Sequence, residues 1–485
     1  MKKLLLLLIL ASVAAYAVDY DISEGSVSIT SGGKYTVTGS TTENSIDIDT
    51  ADDVEITLDN VSITDVESSF RINRGNVTLI LVGSNTLDVW DDAGIYVGAS
   101  AALTISAEST GSLTIENGSD TGIGGRRYGT SGPITINGGT IKIDSHDESA
   151  IGGGREGTAG PITINGGTIT ASSHSGGAGI GGGMEGTTGT VIINGGTIKA
   201  ESDGGAGIGG GFRGGTAGTV TINGGTITAI SHGGGAGIGG GDRGTAGTVI
   251  ITGGTIKAES AGGAGIGGGF RGGTAGTVII KGGTVKAESH SGGAGIGCGE
   301  DGGASAYPAG TVIIEGGTVE ASGEQGAGIG AGEGSGDAGR GPNIFISGGS
   351  VKASSKYGSP IGPGRGAGLC PTPLNWDHGE AIYKAVLEGA MADTLLSIFG
   401  TGDGIVSFTA TRTADGLTYS YEGEGHSGTD DLFFYLPEGD YTINGSNGKT
   451  YAGTVSSSGS TITPTPEPAI FGLVLLALAA FLRKK

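Results

Sequence analysis

The 485-residue chain contains 108 glycines but only 12 prolines, and it lacks a Gly-X-Y period, which excludes a collagen-like triple helix. Its formal net charge of −22 excludes recognition of nucleic acid or anionic lipid through a basic surface. Ile and Val recur at fixed positions, which indicates a folded core.

Residues 1–17 have the pattern of a secretory signal peptide. Lys2 and Lys3 precede an apolar run, Leu4 to Leu10, that is too short for a stable membrane span. Ala15 and Ala17 place small side chains at the two positions that a signal peptidase reads. We predict cleavage after Ala17 and export of the mature chain, with a retained N-terminal anchor as the alternative.

Residues 18–120 alternate between apolar and polar residues without a glycine repeat, as in Ile46/Ile48 and Leu103/Ile105. This period of two predicts strands, which we interpret as irregular N-terminal coils of a β-helix. The segment is also rich in carboxylates: Asp47, Asp49, Asp52, Asp53 and Asp59. Asp47 and Asp49 share a strand face, so calcium is an alternative ligand there, although the sequence has no EF-hand loop.

Residues 121–370 repeat at intervals of about 29 residues. A Gly-Gly-Thr triplet begins at Gly138, Gly166, Gly195, Gly224, Gly253, Gly282 and Gly316, and an Ile-Gly pair recurs once in each unit. Each unit predicts two strands joined by a glycine corner, and a third short strand at the Ile-Gly pair. Strands this short bury their apolar side chains only when units stack, so we predict an all-β, right-handed parallel β-helix solenoid.

The stacked units predict columns of like residues. Two apolar columns should face inwards, one with Ile136, Ile164, Ile193, Ile222, Ile251, Ile280, Ile314 and Ile346, the other with Ile141, Ile169, Ile198, Ile227, Ile256, Val285, Val319 and Val351. Asn137, Asn165, Asn194 and Asn223 should form a structural amide ladder.

Other columns should face outwards. Ile192, Ile250, Ile279, Ile313 and Phe345 form either an exposed strip or one that loops cover. The pairs Lys199/Glu201, Lys257/Glu259 and Lys286/Glu288 form either a solvated charged stripe or a track for a charged polysaccharide.

Histidines and cysteines do not predict a metal site or a disulfide. His174, His232 and His290 lie 58 residues apart, which is two turns, so they cannot share one metal ion. Cys298 and Cys370 lie two repeats apart, which is too far for a disulfide, and we predict two free thiols.

The repeat ends before Pro371. Residues 374–455 contain Trp376 and strand-like runs at Val406–Thr409, Leu417–Tyr421 and Leu432–Leu436, and the segment resembles the small β-sandwich modules that follow such repeats in bacterial surface proteins. Residues 456–465 are rich in Ser, Thr and Pro and predict a linker.

The C-terminal residues 466–485 consist of three parts in order. Pro466, Glu467 and Pro468 are followed by an apolar run from Ala469 to Leu482 and then by a basic end. This tail resembles the PEP-CTERM family of sorting signals. The resemblance implies recognition by an exosortase-type enzyme of a two-membraned bacterium, after transient membrane anchoring through the tail. A plain membrane anchor is the alternative.

The repeats and front coils together resemble the carbohydrate-binding β-helices of bacterial surface proteins. The resemblance implies a polysaccharide or another surface glycan as partner. Aromatic residues make up only 5% of the chain, and few lie in the repeats, so the Trp90/Tyr96 region and the C-terminal module are better candidate sites than the stack.

We therefore predict a secreted or cell-surface protein that acts as an adhesin or as a glycan-binding structural rod. The chain has no nucleophile elbow, zinc-protease helix or phosphate loop, so we predict no enzyme, no cofactor and no catalytic residue. The alternative is a polysaccharide lyase or glycoside hydrolase with acids near Asp47 to Asp59 or Asp88 to Asp92, since β-helices also carry such enzymes.

Overall fold

The computed structural model describes residues 17–215, 217–301, 309–334, 341–346, 349–358, 361–362, 364–365, 374–376, 380–387, 407–414, 416, 418–422, 432–445, 450–456 and 460–464. Within these residues the regular secondary structure is all β-strand, and no helix there is long and apolar enough to cross a membrane. The chain divides into two compact units, Met1–Ile230 and Ser231–Lys485. The predicted all-β class is confirmed.

The first unit begins with nine strands that precede the glycine repeat. They are β1 Val18–Asp21, β2 Val27–Ile29, β3 Gly33–Thr41, β4 Ile46–Asp49, β5 Val54–Val66, β6 Phe70–Val82, β7 Ser84–Val89, β8 Ile95–Ile105 and β9 Ser112–Asn117. They pair in parallel from turn to turn, β1 with β3, β2 with β4, β4 with β6 and β7 with β9. The N-terminal segment is therefore a run of solenoid coils, as its alternation predicts.

The repeats of the first unit supply twelve more strands. They are β10 Ile123–Gly124, β11 Ile134–Ile136, β12 Thr140–Ser145, β13 Ile151–Gly152, β14 Ile162–Ile164, β15 Thr168–Ser173, β16 Ile180–Gly181, β17 Thr190–Ile193, β18 Thr197–Ser202, β19 Ile208–Gly209, β20 Thr219–Ile222 and β21 Thr226–Ser231. Each turn has three strands, and each strand pairs in parallel with its equivalent, as in β12 with β15 and β15 with β18. The short strand predicted at each Ile-Gly pair is present.

The second unit continues the same repeat. Its repeat strands are β22 Ile238–Gly239, β23 Thr248–Ile251, β24 Thr255–Ser260, β25 Ile266–Gly267, β26 Thr277–Ile280, β27 Thr284–Ser289, β28 Ile296–Gly297, β29 Thr311–Ile314, β30 Thr318–Gly323, β31 Ile329–Gly330, β32 Asn343–Ile346, β33 Ser350–Ser355 and β34 Ile361–Gly362. They also pair in parallel, as in β23 with β26 and β24 with β27. Each unit thus contains a parallel β-solenoid.

The predicted isoleucine columns form the core of each unit. In the first unit Ile136, Ile164, Ile193 and Ile222 are fully buried, and in the second unit Ile251, Ile280 and Ile314 are too. The other column is also buried as far as Val319, but its last member, Val351, is half-buried. Val351 lies on β33, which pairs with β30 of the preceding turn.

The glycine corners let the backbone turn between two strands while neighbouring turns stay close. Gly225, the second glycine of its pair, has a φ of 95°, which side-chain-bearing residues rarely adopt. A Cβ at Gly225 would lie 2.8 Å from the carbonyl oxygen of Gly196 in the preceding turn. Glycine is thus required both by the conformation and by the spacing of the turns.

Polar ladders stack outside the apolar core. The Nδ2 of Asn165 donates to Oδ1 of Asn137 at 2.7 Å, and Asn194 and Asn223 continue the ladder at 2.7 and 2.8 Å. The structural interpretation of this asparagine column is confirmed. Cys298 is buried and forms no disulfide among the described residues, as predicted, whereas Cys370 lies outside those residues.

The remaining strands of the second unit are largely antiparallel. They are β35 Leu374–Trp376, β36 Glu380–Leu387, β37 Ser407–Arg412, β38 Thr418–Glu422, β39 Leu432–Pro437, β40 Gly439–Gly445, β41 Thr450–Val455 and β42 Ser460–Pro464. β36 pairs with β35 and β39, while β37, β38, β40 and β41 form a separate small sheet. The predicted C-terminal β module is therefore present.

One boundary of this module differs from the sequence prediction. Residues 456–465 were expected to form a linker, but Ser460–Pro464 form β42, which pairs with β41 and with β36. Ile462 in this strand is fully buried. Threonines favour strands, and one apolar side chain between them suffices to add a strand to an open sheet edge. The Ser, Thr and Pro composition of the segment did not indicate this strand.

Candidate functional site

A cleft of about 460 Å³ lies on the early coils of the first unit. Its walls come from the loops after β5, β7 and β9, from β6, and from the loop after β10. The residues that line it are Glu67, Ser68, Arg71, Asp91, Asp92, Asp120, Arg126 and Arg127. Four carboxylates and three guanidinium groups therefore face one concave surface.

Strand register explains why side chains project into the cleft at this level of the solenoid. Asp47 pairs with Arg71, Arg71 with Tyr96, and Tyr96 with Gly124, one residue in each successive turn. From Gly124 onwards this column consists of glycines, beginning with Gly152 and Gly181. The column therefore bears functional groups only in the early coils.

The glycine part of this column has no room for a side chain. Gly152 has a φ of 142°, and a Cβ there would overlap the carbonyl oxygen of Gly181 in the next turn. Gly124 meets Gly152 in the same way. The repeats are thus closed at the position where the early coils display Arg71 and Tyr96, which places the site chemistry at the N-terminal end of the first unit.

Two arginines of the cleft are held by carboxylates. The Nε and Nη2 of Arg71 donate to the two oxygens of Asp47 at 2.5 and 2.7 Å. Arg126 donates to both oxygens of Asp92, and its guanidinium lies 4.1 Å from the ring centre of Tyr96. These paired, two-point contacts fix the orientation of the side chains, because a planar guanidinium matches a carboxylate in one geometry.

The acidic groups of this region have different pKa values. Burial opposes ionisation of Asp92, but hydrogen bonds from Arg126 and the Ala93 amide outweigh it and lower its pKa. Burial raises the pKa of Asp120 to about 6, despite hydrogen bonds from the amides of Thr121 and Arg127. Asp92 is therefore an ionised anchor, while Asp120 titrates near neutral pH.

Glu148 continues the acidic series one turn later. Burial raises its pKa to about 7, against a hydrogen bond from the Met184 amide, and the negative charge of Asp120 raises it further. Its Oε2 accepts the Met184 N–H at 2.8 Å. Glu148 therefore holds the Met184 loop of a later turn and does not line the cleft.

Exposed aromatic side chains flank the cleft along the chain. Trp90 is 57% exposed and directly precedes Asp91 and Asp92, and Tyr128 is 69% exposed and directly follows Arg127. Aromatic side chains of this size are normally buried for the free energy that burial provides. Trp90 and Tyr96 were singled out from the sequence. The Tyr96 ring contacts the guanidinium of Arg126, which lines the cleft, and Trp90 directly precedes the lining residue Asp91.

The acidic residues singled out near Asp47 to Asp59 are mostly engaged by other side chains. Asp47 is paired with Arg71, the Nε of Arg74 lies 2.5 Å from Oδ1 of Asp49, and Asp53 accepts a hydrogen bond from Asn76. Within the described ranges, no group of three or more His, Cys, Asp or Glu residues has the geometry of a metal site. The geometry therefore does not favour calcium at these carboxylates.

The outward columns consist of surface ion pairs and half-buried apolar side chains. Lys199 and Glu201, and likewise Lys257 and Glu259, form ion pairs at 2.7 Å, and Lys286 and Glu288 form one at 3.0 Å. The apolar column of Ile192, Ile250, Ile279, Ile313 and Phe345 is half-buried, which lies between the two sequence interpretations.

The histidine column contains a contact that the sequence did not predict. Nε2 of His174 lies 2.6 Å from Oδ1 of Asp144, and its Nδ1 lies 3.5 Å from Oδ2 of Asp203. The side chains of the three residues are between one third and one half exposed, so this is a surface group.

The sorting and cleavage residues fall largely outside the described part of the chain. Ala15 and the Pro466, Glu467 and Pro468 motif are not described, and Ala17 is an exposed residue before β1. The side chain of Trp376, in the C-terminal module, is also outside the described set. The predictions for these residues remain predictions.

Sequence reasoning missed four important residues: Asp120, Arg126, Arg127 and Glu148. Arg126 stands where later turns have the third glycine of an Ile-Gly-Gly-Gly run, for example Gly154 and Gly183. An arginine in place of this glycine could have been noticed in the sequence. Its side chain needs space that the later turns lack, so the substitution indicates a different local structure in the early coils.

Comparisons with known proteins match two stretches of the chain. The family described as "Carbohydrate-binding domain-containing protein" matches residues 23–264, and the family "Beta helix repeat" matches residues 278–300 and 312–333. Searches of curated proteins and of solved structures found no match. The chain is thus similar to carbohydrate-binding proteins over a segment that includes every residue of the cleft.

Proposed function

We propose that the chain binds a glycan in the cleft beside Trp90. The observation that carries the proposal is a tryptophan, 57% exposed, directly before two carboxylates that line a cleft of about 460 Å³. A sugar ring has an apolar face that packs on an aromatic ring and hydroxyl groups that bond to charged side chains. Similarity to a carbohydrate-binding family over residues 23–264 supports the same ligand class.

The fixed arginines supply the orientation that such a ligand needs. Arg126 is held by Asp92 and packs on Tyr96, so it cannot rotate without losing both contacts. A site whose polar groups are already in place loses less entropy on binding. The glycan would therefore meet a preformed surface.

The test is a glycan array followed by calorimetric titration with the best oligosaccharide. Trp90→Ala should weaken binding about tenfold, and Trp90→Phe, which keeps an aromatic ring, should recover most of the loss. Asp88→Asn is a matched control, because Asp88 precedes the cleft on β7 but does not line it. Equal affinity of Trp90→Ala and the unmodified chain for every bound glycan would refute the proposal.

We also propose that the protein acts outside the cytoplasm, as an adhesin or structural glycan-binding component at the surface of a two-membraned bacterium. Support comes from the secretory pattern of residues 1–17 and from Pro466, Glu467 and Pro468 ahead of an apolar run and a basic end. An exosortase-type enzyme would act on this tail after transient anchoring. Fractionation of cells that express the chain with and without residues 466–485 tests this part.

A polysaccharide lyase or glycoside hydrolase is the alternative function. Two carboxyls of the cleft, Asp92 and Asp120, have pKa values shifted in opposite directions, a pattern that acid–base catalysis uses. However, both oxygens of Asp92 accept hydrogen bonds from Arg126, so Asp92 is poorly placed to act as a base. A reducing-sugar assay on each bound glycan separates the two functions, because only an enzyme releases product.

A further inference from the structure

We propose that the cleft selects glycans that carry free ammonium groups, meaning amino sugars without N-acetyl groups, over glycans that carry carboxylates. This inference rests on the proposed glycan binding and specifies the chemical class of the ligand. It follows from which charged groups of the cleft are already engaged by protein partners and which remain for a ligand.

The positive groups of the cleft are mostly occupied. Arg71 is paired with Asp47, which lies outside the lining, and Arg126 is paired with Asp92. Arg127 is exposed and forms no ion pair within the described set of residues. One guanidinium is therefore available to a ligand.

Two negative groups of the cleft are available to a ligand. Glu67, Asp91 and Asp120 line it, and none of them forms an ion pair with another described residue. Asp91 accepts only a hydroxyl hydrogen bond, from Ser119 at 3.4 Å, and both Glu67 and Asp91 are exposed. Asp120 is buried, and its two oxygens accept hydrogen bonds from the amides of Thr121 and Arg127, so two exposed carboxylates face a ligand against one guanidinium.

This imbalance decides the charge preference. A ligand ammonium could donate charge-assisted hydrogen bonds to Glu67 or Asp91, which are stronger than bonds to neutral groups. A uronate would approach the like charges of Glu67 and Asp91, which have no ion-pair partner among the described residues. An ammonium beside Trp90 would also gain from the negative face of the indole ring.

Asp120 adds to this preference as the pH rises. It faces Asp92, Glu148 and the Arg127 side chain, together with the cleft charges Glu67, Arg71, Asp91 and Arg126. Since burial raises the pKa of Asp120 to about 6, its carboxyl is partly protonated at pH 6. Glu67 and Asp91 are the groups that a variant can neutralise without disturbing a buried side chain.

The experiment compares three oligosaccharides of equal length by calorimetry at pH 6 with EDTA present: de-N-acetylated chito-oligomer, its N-acetylated form, and an oligouronate. The full chain should bind the de-N-acetylated oligomer most tightly, and Asp91→Asn should weaken that binding about fivefold while leaving the N-acetylated form unchanged. Added NaCl should reduce the affinity for the cationic oligomer alone. Asp88→Asn again serves as the control.

The outcomes separate this inference from the proposed function. Equal or tighter binding of the N-acetylated form or the oligouronate, still lost in Trp90→Ala, would overturn the ammonium preference and leave glycan binding intact. An unchanged preference in a Glu67→Gln, Asp91→Asn double variant would also overturn it. Binding of all three oligomers without dependence on Trp90 would refute the site itself.

Discussion

Replacing Glu148 by glutamine should stabilise the first unit at neutral pH and not at acid pH. The Glu148 side chain is 2% exposed, and its Oε2 accepts the Met184 N–H at 2.8 Å. In a later turn of the same unit the equivalent acceptor is a backbone carbonyl, that of Gly176, which receives the Phe212 N–H at 2.7 Å. The position therefore requires an acceptor and not a negative charge, and a glutamine amide oxygen supplies one.

The size of the effect follows from the pKa shift. The pKa of Glu148 is raised from 4.5 to about 7, so between these values the folded state holds a proton that the unfolded state has lost. The free energy of unfolding is therefore highest below about pH 4.5. It falls as the pH rises and levels off above about pH 7. The full loss is at most about 3 kcal/mol, and Glu148→Gln should avoid it.

Hydrogen exchange measured by mass spectrometry is the suitable assay, because a chain of two compact units need not unfold in one step. The opening free energy of peptides that contain residue 148 or Met184 should agree between variant and parent at pH 4. It should favour the variant by about 1–3 kcal/mol at pH 8. Glu116→Gln, an exposed substitution on β9, is the control. A difference that does not grow with pH would refute the reasoning.

Three further predictions concern the fold. Gly152→Ala should prevent the first unit from folding, because the added Cβ would overlap the next turn, and the loss should be seen as lost protease resistance. Gly25→Ala should be tolerated, since no atom lies within 4 Å of its added Cβ. Arg126→Ala should destabilise the first unit by about 3 kcal/mol, measured by hydrogen exchange of peptides that contain Asp92, since it leaves the carboxylate of Asp92 buried without its partner. A loss below about 0.5 kcal/mol would contradict this. Cys298 should resist thiol reagents until denaturant is added, because burial raises its pKa to about 12; alkylation in the native state, found by peptide mapping, would be inconsistent with it.

The strands and core columns could be predicted because they depend on local and periodic signals. Val220 and Ile222 alternate with polar residues, and glycine pairs mark each corner, so each turn specifies its own strands. Stacking then follows, since an apolar edge repeated every turn has only its neighbours to pack on. The same reasoning placed β42 in a linker, because pairing with β36 and β41 is not visible in residues 456–465.

The cleft could be predicted only in part. Trp90 and Tyr96 were noticed because aromatic residues are scarce in the repeats. Their partners were not, because Arg126 reaches Asp92 across 34 residues of sequence and Asp120 acquires its pKa from burial. Pairings of this kind depend on the register between turns, which a single sequence does not give.

The bare glycine column has a consequence for how this chain can change in length. In the column that begins with Gly124, Gly152 and Gly181, each turn contacts its neighbours through backbone atoms alone, and no side chain is present. Insertion or deletion of whole repeats by unequal recombination would thus leave the cleft residues of the early coils untouched. Strain-to-strain variation in the number of repeats, with an unchanged cleft, is the evolutionary behaviour that such an architecture permits.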